Sequence, residues 1–251
     1  MSRTVRQAVF LVAAAGVAVL LVWGLSGLPA FGDYQGPYGD ILNRVAVRER
    51  HITEVVTAVV FDYRGLDTMG EEFILFASAV GVALLLRAGR TEVEEQPSAR
   101  AESRILPAPP EAARVLGLVL IGPTVVLGLY IVAHGHLTPG GGFQGGAILA
   151  TASLLVFLSG RFVAFRRVNP VILIDAAEGA GAFAFPLIGL LGLVAGPAFL
   201  TNVLPLGTAG HLLSGGTTPL LNLAVGLEVS AAFILIVSEF VEQTLIVRGR
   251  G

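Results

Sequence analysis

Hydrophobic residues in this chain gather into long runs instead of alternating or recurring once per helical turn. Runs of about 17 to 25 residues are the length that carries a helix across a hydrocarbon core. Six qualify, at residues 5–28, 71–87, 115–133, 143–160, 171–194 and 220–241, the last able to continue to Val247. The pattern predicts an all-α polytopic membrane protein with about six transmembrane helices. Between the first two runs lies a polar stretch, 30–70, too long and too charged for a simple turn. Its short apolar run, 55–61, reads as an interfacial or partly embedded element. From 88 to 111 the chain turns to Glu, Arg, Pro and Ala with no apolar period, which reads as a flexible linker and the best domain boundary.

Punctuation between the runs supports the same division. The third and fourth runs are separated by Gly135-His136-Leu137-Thr138-Pro139-Gly140-Gly141-Gly142-Phe143-Gln144-Gly145-Gly146. Pro139 has no backbone donor and the glycines carry a large entropic cost in a helix, so a sharp break is specified there. Pro110 and Glu111 suit the start of the third span, with proline in the first turn and an acid at the positive helix end. Asn169-Pro170 and Thr218-Pro219 each read as a cap followed by proline at the first helical position, opening the fifth and sixth spans. Arg161 ends the fourth.

Composition agrees: 54% of residues are hydrophobic, 14% are charged, and mean hydropathy is +0.79. The first run follows Arg3 and Arg6 as a secretory signal would. It is long, however, and no convincing small-x-small cleavage site precedes the next polar stretch, so it reads as a retained span. With no cysteine, disulfides, thiolate metal sites and iron–sulfur ligation are excluded. A net charge of −2 and no basic, aromatic-interleaved patch give no argument for nucleic acid. All sixteen basic residues are arginine. Twelve fall at the termini, between 87 and 114, and at 161, 166 and 167; the other four are Arg44, Arg48, Arg50 and Arg64. Positive residues concentrate on the cytoplasmic side, so both termini and the linker are expected there. The acid-rich segment 33–72 and the glycine-rich turn then face outward.

Ionisable residues inside such runs are the candidate chemistry. Glu228 lies eight residues into the sixth span, where an unpaired charge costs about 2.5 kcal/mol or more. Glu239, eleven residues on, falls on nearly the same face. A proton or cation relay and a helix-packing hydrogen bond remain open for this acidic stripe. Asp175 and Glu178 share a face near the start of the fifth span; the helix dipole accounts for the first, less easily for the second. Asp67, Glu71 and Glu72 flank the start of the second span, where acids are favourable at a helix N-terminus and also suit a cation mouth. His134, His136 and His211 can titrate near neutrality but sit at loop edges. Neither metal-ligand spacing nor a nucleotide or nucleophile motif occurs, so no metal, cofactor or self-contained enzyme is expected.

Two of these stretches carry a family resemblance. GHLTPGGGFQGGAILATASLLVFL, with the spans from about Arg114 onward, resembles the B subunit of multisubunit Mrp-type sodium/proton antiporters, the MnhB family. TEVVTAVVFDYRGLDTMGEEFILFASAVGVALLLR resembles the small E-type subunit of membrane-bound hydrogenases, which in Mrp systems forms the C-terminal tail of the large A-type chain. The resemblance implies a fusion: an E-type module over 1–88, a cytoplasmic linker over 89–111, and a four-helix MnhB-like domain over 112–251.

It further implies an accessory subunit of a bacterial inner-membrane complex, related to the membrane arm of respiratory complex I, that exchanges Na⁺ for H⁺ beside large antiporter-like and small membrane subunits. Those large subunits carry a buried lysine and glutamate. This chain has no lysine, which argues against antiport by the chain alone. Matched to the motifs, Asp67 and Glu71 are implied to line the ion route. His136, Pro139, Gly140, Gly141, Gly142 and Phe143, with Gly145 and Gly146 beside them, are implied to provide packing and proton access. A redox-driven relative such as a membrane-bound hydrogenase, and a purely structural scaffold, are the alternatives.

Overall fold

The computed structural model describes residues 3–28, 30, 32, 36–91 and 109–248, and every regular element among them is helical. The expected linker is therefore largely outside the described residues. Among the described residues six helices are long and apolar enough to cross a membrane, as the hydrophobic runs predict.

Contacts divide the chain into two units, Met1–Ile41 and Leu42–Gly251. The first holds α1, Arg3–Ser26. Phe10, Val12 and Trp23 are each at least 70% exposed, so the helix is apolar all round. α2, Pro37–Arg50, begins in this unit and ends in the next.

The second unit continues with α3, Val55–Ala58, a π-helical turn, Val59–Tyr63, and α4, Gly65–Thr91. α5, Glu111–Ala133, and α6, Gly142–Val168, bracket the glycine-rich turn, and α7, Val171–Ala195, and α8, Thr218–Arg248, complete it. α8 is the central element. More than half of its apolar window is buried, whereas the other spans of this unit bury a third or less. α4, α5, α6 and α7 all pack on it.

Three boundaries differ from expectation for identifiable reasons. α4 begins at Gly65, six residues early, because Thr68 Oγ1 donates to the Val60 carbonyl (2.6 Å) and Arg64 N–H to that of Val59 (2.7 Å), tying the π turn to the new helix. α6 runs past Arg161 to Val168. Phe162 and Phe165 there are buried against Leu245 of α8, and Arg166 pairs with Glu242 at 2.9 Å. Asn169 does not cap α7. Its amide turns back to the Phe165 carbonyl (2.9 Å) and accepts from Ser153 (3.1 Å), so it closes α6. The cap position of α7 is Pro170, which makes no side-chain cap bond.

Registers follow from the packing. α4 runs parallel to α8, with Ala79 and Ala83 clustered against Ala232 and Leu235. α7 runs antiparallel to α8. Phe185 packs with Leu221 and Val225, and Gly181 lies so close to α8 that a Cβ there would be 2.6 Å from the Glu228 nitrogen. α6 lies against α5 through Gly145 and Gly128 and against α8 through Gly142 and Gly146, at approaches no Cβ could share. Small residues allow such backbone contact between helices in a bilayer.

Candidate functional site

Polar groups concentrate at two places in the second unit. The first is the glycine-rich turn. A turn buried among helices must find partners for its backbone groups, and this one recruits three other segments. The His136 carbonyl accepts from the Thr53 and Glu54 N–H groups (3.1 and 3.3 Å). The Gly135 and Leu137 carbonyls accept from the Thr57 and Thr53 hydroxyls (2.6 and 2.8 Å). Gly142 N–H donates to Asn222 Oδ1 (2.9 Å), whose amide nitrogen donates to Thr218 (3.2 Å). Gly140 and Gly141 take φ values of +144° and +133°, which an L side chain rarely adopts.

His136 is fully buried in this turn, with Nε2 3.0 Å from the Leu212 carbonyl and no hydrogen-bond partner at Nδ1. Burial pushes its pKa below the ordinary value. Pro139 is exposed, Gly141, Gly142, Gly145 and Gly146 are buried, and Phe143 packs beside Val225 and Val229 of α8.

The second place is the seam where α4 and α7 meet α8. Glu72, Glu178 and Glu228 are each at most 3% exposed. Both carboxylate oxygens of Glu72 and Glu228, and Oε1 of Glu178, have no hydrogen-bond partner. Glu72 shares its helix face with Ala79 and Ala83, the face that packs on α8. The parallel register sets it about one turn, ~5 Å, from the level of Glu228 along the axis. Glu178 precedes Gly181 by three residues, and Gly181 touches Glu228, so Glu178 lies about one turn to the other side. The three acids thus form a column along the seam. Beyond Glu178 the column meets Arg87, which grips Asp175 through both terminal nitrogens at 2.8 Å and Glu239 through Nε at 2.8 Å.

The expected residues therefore separate. Glu178 and Glu228 come together in the seam. Glu239 shares the Glu228 face but carries a counter-ion. Asp67 and Glu71 lie within the first two turns of α4 rather than before it, and both are exposed; Asp67 pairs with Arg64. His136 belongs to the turn. Two residues carry more in the fold than their sequence context signals. Glu72, next to an identical residue, is distinguished only by its phase on α4. Arg87 has the look of a span's end, although two acids within other spans signal a need for a cation.

Among the described residues no group of His, Asp and Glu could hold a metal ion.

Comparison with known proteins bears on the family and the fold. Residues 112–235 match the model of a family described as a domain related to the MnhB subunit of the Na⁺/H⁺ antiporter. A Rhizobium meliloti protein described as the A/B component of a probable K⁺/H⁺ antiporter is 31% identical over 170 residues, 56% of this chain and 16% of that protein. A chain in the structure of an archaeal respiratory membrane complex, the membrane-bound sulfane sulfur reductase, superposes with a TM-score of 0.70 at 28% identity, covering 96% of this chain and 98% of that one. A chain of the Mrp complex from Dietzia sp. DQ12-45-1b gives 0.67 at 25% identity, covering 95% of this chain and 26% of its own length. The chain thus spans a sixth to a quarter of two relatives and nearly all of the third.

Proposed function

We propose, because this chain belongs to the family of domains related to the MnhB subunit of Na⁺/H⁺ antiporters, that it is an accessory membrane subunit of an Mrp-type monovalent cation/proton antiporter complex and that its α4–α7–α8 seam carries part of the proton path. The observation that carries the reading is the column of Glu72, Glu178 and Glu228, buried in membrane-crossing helices with carboxylate oxygens left unpartnered. Ionisable groups are expensive in a bilayer, and ones without a structural partner mark ion or proton routes. Carboxyl groups about one turn apart can pass a proton along a helix seam through small side-chain rotations or bridging water. Asp67 and Glu71, exposed at the start of α4, gather cations at the mouth. His136 and the glycine-rich turn join the E-type part to the MnhB part. The match to a relative whose description joins A and B favours that fusion, and the arginine distribution favours cytoplasmic termini.

The test is to express the complete gene cluster in an antiporter-deficient host and follow cation-dependent ΔpH dissipation in everted vesicles, with assembly checked on native gels. Glu228→Gln, Glu178→Gln and Glu72→Gln are each expected to lower exchange about tenfold or more, the scale of a lost proton-transfer group, in an intact complex. Asp67→Asn and Glu71→Gln are expected to weaken cation affinity only a few-fold. Full exchange in all three buried variants would leave the chain a scaffold. A second reading, the same module in a redox-driven pump, is favoured by the near-complete superposition on a chain of the sulfane sulfur reductase complex. Iron–sulfur subunits co-purifying with the chain would decide for it.

A further inference from the structure

The acid column differs at its two ends. Towards the α8 N-terminus it fades into the apolar cluster of Phe61, Phe185, Leu221 and Val225. Towards the C-terminal half it ends on a charged triad contributed by three helices. Arg87 of α4 holds Asp175 of α7 in a two-pronged pair and Glu239 of α8 by a single bond, all at 2.8 Å. The arginine and Asp175 side chains are 34% and 39% exposed, Glu239 only 1%. The triad is thus reachable from outside the bundle, and the next acid inward, Glu178, is not. At this end Arg166 of α6 also pairs with Glu242 of α8, and that pair balances itself.

From this geometry we infer that Arg87 is the selectivity element of the column: its guanidinium occupies the Asp175 and Glu239 carboxylates that a monovalent metal cation would need as ligands on the way to Glu178, Glu228 and Glu72, and so leaves the column to protons. The inference rests on the column being a proton route. A metal cation entering here must either displace a guanidinium from three short bonds or sit beside it. A proton needs no coordination shell and passes between carboxyl oxygens. Fixed arginine charge is a general means of keeping cations out of a narrow path. The guanidinium suits the post, being charged at any working pH and matching a carboxylate edge with two parallel N–H groups.

A simple staple joining α4 to α7 and α8 would use the same bonds, so the readout must be leak rather than assembly. The complete complex is purified, reconstituted in liposomes, and tested for passive uptake of radioactive sodium or rubidium without a pH gradient. Arg87→Gln is expected to raise uptake about tenfold or more, Arg87→Lys to leave it within about twofold of wild type, and Arg87→Gln/Glu228→Gln to abolish the leak, because the leak runs through the column. If Arg87→Gln fails to assemble, the charge-balanced Arg87→Gln/Asp175→Asn/Glu239→Gln variant, which leaves no unpaired ion from the triad, is expected to show the same leak. Uptake that stays at the wild-type level while Glu228→Gln alone stops exchange overturns the selectivity role and leaves the proton route standing. If Glu228→Gln leaves exchange intact, the route itself falls, whatever Arg87 does.

Discussion

The α5–α6 hairpin with its turn and the α4–α7–α8 seam are built from the same material, long apolar helices, and treat polar groups in opposite ways. In the hairpin the buried N–H and carbonyl groups of the turn are matched by Thr53, Thr57 and Asn222, and glycines close the remaining space. No carboxylate is buried between α5 and α6 among the described residues. In the seam three carboxyl groups are enclosed, with both oxygens of Glu72 and Glu228 and one of Glu178 left without a hydrogen-bond partner, an arrangement that makes no sense as glue. An unmatched buried acid weakens a fold, so its presence points to a task, whereas a matched turn explains itself as structure.

The sharpest way to break this contrast is to overfill the hairpin. A Cβ at Gly142 would stand 2.5 Å from the Val225 Cβ and 2.6 Å from the Asn222 carbonyl oxygen, and neither atom lies at a flexible tip. Gly142→Val is expected to cost about 3 kcal/mol or more, the upper end of overpacking, and to remove the complex from native gels. Gly122→Val on the outer face of α5, where nothing lies within 4 Å, should assemble normally. Equal behaviour of the two variants would mean that close packing is not what the turn provides.

How much of this could be read from the chain follows the same division. The spans were legible, because a run of apolar residues has few alternatives in a bilayer. So was the break at Pro139 and the glycines, which rests on backbone chemistry alone. α2 was not, since Pro37–Arg50 mixes charged and apolar residues in a segment already polar enough to pass for a loop. Nor was the extension of α6, because Arg161 looks like a stop and the packing of Phe165 on Leu245 joins residues eighty positions apart. The site was half legible. Glu228 and Glu178 stand out as acids in apolar runs. The choice of Glu72 over Glu71, and the meeting of Arg87 with Asp175 and Glu239, depend on helix phase and register between elements, which no local pattern encodes.

A smaller effect sharpens the contrast in a single melting experiment on the assembled complex. Asn222→Ala leaves the Gly142 N–H buried without its acceptor, at an expected loss of about 1–3 kcal/mol. Glu228→Gln replaces a carboxyl that has no hydrogen-bond partner, so stability should hold or rise. If Glu228→Gln destabilised the complex as much as Asn222→Ala, the acid would be a packing group and the distinction between the two regions would fail.

The smallest expected effect tests whether the hairpin is as inert as its bonding suggests. His136 is the titratable group at its centre, and burial, which disfavours the charged imidazolium, lowers its pKa from the ordinary 6.5. A group whose folded pKa is depressed adds stability above its unfolded value and loses it as pH falls towards the folded one. The turn should therefore hold fully above about pH 6.5 and weaken below it, by at most about 1.4 kcal/mol per pH unit. Melting of the complex between pH 7 and pH 5 reads this slope, and His136→Gln, which keeps an amide donor for the Leu212 carbonyl, is expected to flatten it. A slope unchanged by the substitution would place the acid sensitivity elsewhere. A loss of exchange in His136→Gln with stability intact would move the imidazole from the structural region to the proton path, and the two regions would then share one function.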